Sequence, residues 1–338
     1  MSAEGNYLYR VAMRPTLRTW MKHSLLLGVT LLTATIAGSL YPFGRIDPLP
    51  FVDPQSWEEL FRLLALLPVH YAMLITGVIG ELATDPRMLA DGLAFSLSLL
   101  FILVSHEMGH YVACRIYGVD ATLPYFIPTP PLIGPAGTFG AFIRIMSPMP
   151  SRRAVFDIGV AGPIAGFIAL LPIAVLGVMR MTPVPPELVD IPVPGSLSFS
   201  DPLLMRLIGM FVGQDPVYSI GNPFYYAAWI GLLVTALNLI PSGQLDGGHA
   251  IYAVFGKRVH FFTGRIAFVV MTALSIIGFV YFNSPSGFLI AVLLGIMARI
   301  RHPEPYDLSP LGAKRKLVAF LTLAIFALSF APFPIRIN

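Results

Sequence analysis

Apolar residues in this chain come in long unbroken runs, not in the alternating or one-faced stripes of elements that keep one side in water. Runs over residues 24–40, 92–114, 154–179, 224–240 and 262–282 are apolar all round, as helices immersed in lipid are, and their lengths suit the roughly 17–25 residues that a crossing requires. Weaker runs cover 245–255, 317–330 and 287–300, the last short for a crossing. A run over 63–80 carries Pro68 and His70 and ends at Glu81. A polar loop with Pro42, Pro48, Pro50 and Pro54 follows the first run. Stretches 115–153 and 182–223 are rich in Pro and Gly, too irregular for membrane helices, and the second contains an amphipathic piece at 203–212. There is no internal repeat and no low-complexity tract.

Composition agrees with this pattern. Of 338 residues, 56% are hydrophobic and only 12% charged, against about a quarter charged in a soluble domain, so most of the chain is dissolved in lipid. The net charge of +4 is small and speaks to loop orientation, not to a nucleic-acid partner. The single cysteine, Cys114, allows no intrachain disulfide. Arg10, Arg14, Arg18 and Lys22 precede the first run as in a signal peptide. No clean small-residue cleavage site follows, so the segment is read as an uncleaved anchor, with a cleaved signal as the alternative.

Charge also orients the chain. Arg115, Arg144, Arg152, Arg153, Lys257, Arg258, Arg301, Lys314, Arg315 and Lys316 flank one set of loops, whereas residues 181–223 hold only Arg206 against Glu187, Asp190, Asp201 and Asp215. The positive-inside rule puts the C-terminal end of the 92–114 helix, and the N-terminus, on the cytoplasmic side. Both hold only with an even number of crossings between residues 22 and 115. Residues 63–80, with their proline and the nearby acids Glu81, Asp85 and Asp91, are therefore expected to form a re-entrant or interfacial segment.

The chemistry centres on His106-Glu107-Met108-Gly109-His110, at the end of the 92–114 run. On a helix, positions four apart share a face, so both imidazoles reach one ion. This H-E-x-x-H arrangement binds zinc through the histidines and uses the glutamate as general base. A catalytic zinc takes three protein ligands and keeps a position open for water. The residues offer Asp246 as the third: the 224–240 run stops at Pro241, and Asp246 stands before a glycine pair, where a carboxylate beside a break in a membrane helix needs a partner. The alternative is that Asp246 merely caps the helix that follows. His249 is either a supporting neighbour of the site or a structural histidine. His23, His260 and His302 sit beside positive charges at membrane edges, where interfacial roles suffice, and His70 has no evident role. Cys114 lies two turns, roughly 12 Å, beyond His106, too far to share its ion, and is read as a buried small residue.

A second stretch, Gly137-Thr138-Phe139-Gly140-Ala141-Phe142-Ile143, is β-prone and flanked by turn residues. An exposed strand edge there could hold an unwound substrate by strand addition; a plain connecting hairpin is the alternative. For the chain as a whole, a transporter or channel using the His/Glu cluster as an ion site is the rival reading.

Four segments together resemble the site-2 protease family of intramembrane zinc metalloproteases. They are His106–His110, the loop 137–143, Gly162-Pro163-Ile164-Ala165-Gly166, and Asn238 with Pro241 leading to Leu245-Asp246-Gly247-Gly248-His249. The resemblance implies an all-α polytopic membrane protein. Its core would be three helices over 92–256, with an anchor, loop and re-entrant or interfacial segment over 1–91, further transmembrane helices over 257–338, and a short membrane-embedded β-loop. It implies one Zn2+ per chain on His106, His110 and Asp246, and Glu107 as base. Asn238, Pro241 and Gly137, Thr138, Phe139, Gly140, Ala141 and Phe142 would bind substrate, a membrane protein with a transmembrane helix, cut within or beside that helix. Gly166 departs from the pattern, standing where many members carry asparagine. Many relatives also carry a PDZ module or paired CBS modules, and no stretch of these residues is long and polar enough for either.

Overall fold

The computed structural model of the protein describes residues 14–46, 54–185, 196–300 and 302–338. Arg10, Pro48, Pro50, Glu187, Asp190 and Arg301, used above to read anchor and loops, lie outside them. Every apolar run becomes a helix. Five are long and apolar enough to cross a membrane: α1 (Leu17–Ser39), α2 (Trp57–Thr84), α3 (Pro86–Ile116), α4 (Arg152–Met179) and α8 (Lys257–Phe282). Shorter ones are α5 (Leu203–Val212), α6 (Pro223–Leu239), α7 (Asp246–Phe255), α9 (Ser286–Met297) and α10 (Ala313–Ser329). The chain is an all-α polytopic membrane protein.

Half of these helices begin where a short polar side chain satisfies the first free backbone N–H groups. Thr16, Ser56, Asp85, Ser151 and Asn222 cap α1, α2, α3, α4 and α6 in this way, with Pro86 and Pro223 in the first turns of α3 and α6, where a missing N–H costs nothing.

Helices α3, α4 and α6 form the central layer. Ile102, Leu170 and Leu232, one from each, are buried together in the main apolar cluster. Helix α1 runs antiparallel to α3. His23, near its start, donates Nδ1–H to Pro124 O (2.8 Å) just beyond α3, and Thr35, near its end, hydrogen-bonds Ser96 near the start of α3 (2.8 Å). The basic start of α1 and the C-terminal end of α3 thus share one end of the molecule. At that end Arg315 of α10 grips both carboxylate oxygens of Asp157 of α4 (2.9 and 2.7 Å), and Tyr117 donates its hydroxyl to the same carboxylate.

Residues 63–80 belong to α2, one continuous 28-residue helix without a re-entrant turn, which leaves the interfacial form of that expectation. Because α1 is antiparallel to α3, the points that α2 connects lie at the same end of the bundle. Pro68 lies within it, and Val78 is its only buried residue. The acids that suggested a break serve the junction instead: Asp85 caps α3, and Asp91 pairs with Arg45 (3.6 Å).

The 115–153 stretch folds into a hairpin of β1 (Tyr125–Pro128) and β2 (Thr138–Phe142), antiparallel with Phe126 opposite Ala141 and irregular near Pro128. No other described strand pairs with β2, so its second edge is open. The remaining strands are β3 (Thr182–Pro183) with β5 (Ser219–Ile220), and β4 (Leu197–Phe199) with β6 (Ile335–Ile337).

Candidate metal centre

The H-E-x-x-H residues occupy the face of α3 that meets α4 and the turn between α6 and α7. His106, Glu107 and His110 are all buried. Helix α6 stops at Leu239, and the chain turns through Pro241 and Gly243 to start α7 at Asp246 itself. Gly247 is required there, since a Cβ on it would lie 2.0 Å from Leu239 O. Asp246 does not cap α7, whose N-cap, Leu245, makes no side-chain bond. Its carboxylate turns to the histidines instead, with Oδ2 3.2 Å from His106 Nε2 and 3.3 Å from His110 Nε2. The two Nε2 atoms are 3.2 Å apart.

These distances fit a metal. Tetrahedral zinc with bonds of about 2.0–2.1 Å holds its ligand atoms about 3.3–3.4 Å from one another. The donor chemistry agrees. His110 donates Nδ1–H to Ile158 O (2.7 Å), so in the neutral ring Nε2 is a bare lone pair, the tautomer a metal ligand needs. A lone pair packed against a carboxylate oxygen in a buried site is repulsive without a cation between them. His106, His110 and Asp246 are the only described group of this kind.

The remaining parts surround this triad. Glu107 shares the cavity wall with Ala141, Phe142 and Ile143, the end of β2 and the residue directly after it. Asn238 brings Nδ2 to 3.4 Å from His106 Nε2. A cavity of about 200 Å3 opens on the triad, lined also by Ala141, Phe142, Ile145 and His249.

Not every expected substrate contact lies on this wall. Gly137 packs against α1, with its carbonyl accepting from the Thr33 hydroxyl (2.8 Å). Thr138 ties the hairpin together, donating to Ile127 O and accepting from Gly140 N–H (both 3.0 Å). Phe139 is exposed beyond the cavity, and Pro241 shapes the turn. Cys114 is fully buried, as read. His70 is exposed on α2.

Two features escape a reading along the chain. The first is the surface of α4 facing the motif. A Cβ at Gly162 would lie 2.1 Å from His110 Nε2, and one at Gly166 would lie 3.0 Å from His106 Cβ. The two glycines, four residues apart, leave room for two histidines four residues apart on the opposing helix. The departure at 166 thus retains a small residue where His106 packs.

The second feature corrects the placing of His260 and His302 at the interface. Both are buried, because the 302–312 segment folds back under the α6–α7 turn. His260 hydrogen-bonds Gly243 O (2.8 Å) and His302 stacks on Tyr252 (4.0 Å between centroids). His302 donates Nδ1–H to Pro303 O (2.7 Å), so its neutral ring accepts at Nε2 from His249 Nδ1–H (2.6 Å). His249 is thereby fixed in one tautomer on the cavity wall. Burial pushes the His302 pKa down to about 3, with neighbouring His249 adding to the shift. His23 is likewise buried, on the carbonyl of Pro124.

Comparison with known proteins places this geometry. The probable zinc metalloprotease EGY1, chloroplastic, of Oryza sativa subsp. japonica is 27% identical over 312 residues, 82% of this chain and 51% of that protein. Its namesake of Arabidopsis thaliana is 33% identical over 254 residues, 71% of this chain and 43% of the relative. The probable zinc metalloprotease EGY2, chloroplastic, of Oryza sativa subsp. indica is 34% identical over 178 residues, 51% and 31% respectively. This chain spans about half the length of the first of these relatives and less of the others. No solved structure matches it. The model of peptidase family M50 matches residues 94–278, a stretch that begins within α3, ends within α8 and carries His106, Glu107, His110, Asn238 and Asp246. By that match, over more than half its length, the chain belongs to peptidase family M50.

Proposed function

We infer that the chain is a zinc metalloprotease of the site-2 type, which hydrolyses a peptide bond within or next to a transmembrane segment of a membrane protein. The observation that carries this reading is the convergence of His106, His110 and Asp246 at zinc-ligand spacing, with a glutamate beside them inside a membrane helix. Three ionisable groups so buried are costly in lipid, and a metal with chemistry attached accounts for them.

His106 Nε2, His110 Nε2 and one oxygen of Asp246 would hold one zinc. When bound, zinc lowers the pKa of water toward neutrality and polarises a carbonyl. Glu107, on the wall of the cavity that opens on these three residues, takes the proton of the attacking water and hands it to the leaving amine. Asn238, facing the same cavity, donates its amide to the carbonyl oxygen as that atom gains negative charge. A transmembrane helix satisfies its peptide groups internally, so it must be extended before it can be cut. The open edge of β2 supplies backbone partners for the extended segment. In the membrane the start of α1 and the C-terminal end of α3 face the cytoplasm, following their basic flanks.

The test is paired. Purified protein should hold one zinc per chain, and Glu107→Gln should keep that zinc while losing cleavage of a membrane-helix reporter in proteoliposomes. Full cleavage by Glu107→Gln would remove Glu107 from the mechanism. Metal that exchanges rapidly and moves across the bilayer would replace the protease with a transporter. Tags at Lys22 and at Tyr117 accessible from opposite faces would overturn the orientation.

A further inference from the structure

The opposite end of the bundle, where α8 and α10 finish, carries a second cavity of about 290 Å3. Its wall includes Ser200, Asp201, Arg206, Phe330, Phe333 and Arg336. Neither arginine forms an ion pair within 4.0 Å of a described carboxylate; Arg206 is exposed and its charge reaches Asp201 beyond that distance. Arg336 Nε is buried without a hydrogen-bond acceptor, and its guanidinium lies over the face of Phe282, 5.1 Å from the ring centre. A buried guanidinium N–H left unmatched costs more than a neutral donor would. The one carboxylate on the described wall, Asp201, accepts the Tyr225 hydroxyl at Oδ1.

The surroundings are apolar and lie at the C-terminal ends of α8 and α10. Helix α5, whose start borders the cavity, is amphipathic and short, and presents Met210 and Phe211 at 80% and 90% exposure. Such a helix lies in the interface plane with its apolar residues in lipid. Helices α8 and α10 bring Phe282 and Phe330 to the same depth.

We propose that this cavity is a binding site for one phosphate-type oxyanion, held between Arg206 and Arg336, with Ser200 as a further donor. Guanidinium groups suit phosphate oxygens through paired N–H bonds, and basic pockets among membrane helices hold lipid headgroups. The volume sits at the small end of ligand pockets, roughly 300–1,000 Å3, which suits one headgroup and excludes a peptide. The same chemistry is offered by an anionic phospholipid or by free phosphate. The site is remote from His106 and independent of any proteolytic activity.

The experiment uses the full chain in nanodiscs of equal parts phosphatidylglycerol and phosphatidylcholine, followed by native mass spectrometry of retained lipid. A parallel arm titrates inorganic phosphate into the detergent-solubilised protein. Retention of one phosphatidylglycerol per chain, reduced at least about ten-fold in Arg206→Gln/Arg336→Leu and restored in part by Arg336→Lys, supports a lipid ligand; ten-fold corresponds to about 1.4 kcal/mol. Saturable phosphate binding lost in the same double variant, without lipid selectivity, supports the site with free phosphate as its source. Equal retention of the two lipids with no phosphate binding overturns the proposal. So does any binding that survives the double variant. Unchanged zinc content in the variants shows that they have folded.

Discussion

Replacing Gly162 by alanine perturbs the metal centre without altering any proposed ligand. The added Cβ would stand 2.1 Å from His110 Nε2 and 2.4 and 2.5 Å from Cδ2 and Cε1 of the same ring. Ordinary contact begins at 3.4 Å, so ring and helix must part by about 1.3 Å. Metal sites tolerate about 0.2 Å in ligand distance. The ring cannot retreat without losing its bond to Ile158 O, and α4 cannot retreat without disturbing the fully buried Phe156 and Leu170 on the same helix. Other costs are smaller. Alanine favours a helix interior over glycine by up to ~1 kcal/mol. The following proline is no obstacle, because Leu171 holds the equivalent place before Pro172 in this same helix. Zinc affinity is therefore expected to fall by about 100-fold or more, the upper end of what supporting substitutions cost. Metal-free stability should change by no more than the ~1–3 kcal/mol of overpacking. Gly166→Ala, whose Cβ would lie 3.0 Å from His106 Cβ and 3.2 Å from Nδ1, requires only a few tenths of an ångström and should give a smaller loss. The assay is competition for zinc with a chromophoric chelator in detergent micelles, alongside thermal unfolding of the metal-free proteins. Zinc bound by Gly162→Ala as tightly as by the unaltered chain would refute the placing of His110 Nε2 against α4, and with it His110 as a ligand.

Two further outcomes are expected. Ile143→Pro removes a backbone N–H from the cavity wall beside Glu107, one that an extended segment could use; a neutral hydrogen bond of that kind is worth about 0.5–1.5 kcal/mol. Reporter cleavage should slow about two- to ten-fold while zinc content stays constant, and an unchanged rate would detach the hairpin from the chemistry. His302, held at a pKa of about 3 by burial against an ordinary value of 6.5, must stay neutral when folded. Docking of 302–312 is thus fully stable above about pH 6.5 and weakens as pH falls from there toward 3. Amide exchange in that segment, corrected for its intrinsic pH dependence, should show less protection at pH 5 than at pH 7, and equal protection would contradict the buried position of the ring.

The helices were legible because lipid imposes one rule on every residue of a crossing: each run is apolar on all sides. Their starts were not, because the capping side chains Asp85, Ser151 and Asn222 lie outside the apolar runs. The pairing of His106 with His110 was legible for a similar reason, since helix geometry alone puts positions four apart on one face. Asp246 was not decided by its neighbours. A carboxylate before two glycines reads equally as a cap, and its convergence with residues some 140 positions away depends on how α6 ends and α7 restarts. Pro68 and the acids nearby suggested a re-entrant form for residues 63–80, whereas a proline inside a long helix is tolerated and those acids cap and pair at the start of α3; the interfacial form agrees with the antiparallel α1 and α3 on either side. His302 was misplaced for want of any local sign that residues 302–312 fold back beneath the α6–α7 turn.

The glycines of α4 show most directly where reading along a chain stops. Gly162-x-x-x-Gly166 on its own suggests only close approach of some second helix. Nothing in that stretch names imidazoles as what approaches. Two periodic signals, each unremarkable alone, share the same four-residue spacing, and antiparallel packing of α3 on α4 sets Gly162 against His110 and Gly166 against His106. A buried imidazole is bulky, must be hydrogen-bonded, and must expose one nitrogen to its ion. The α4 backbone meets the first two demands together, with the glycines supplying space and Ile158 supplying the acceptor. The third follows, because a ring held at Nδ1 by a carbonyl leaves Nε2 bare toward Asp246. The candidate metal centre is therefore a property of the α3–α4 interface as much as of the motif, which is why a single methyl group on α4 is expected to displace the imidazole proposed as a ligand on α3.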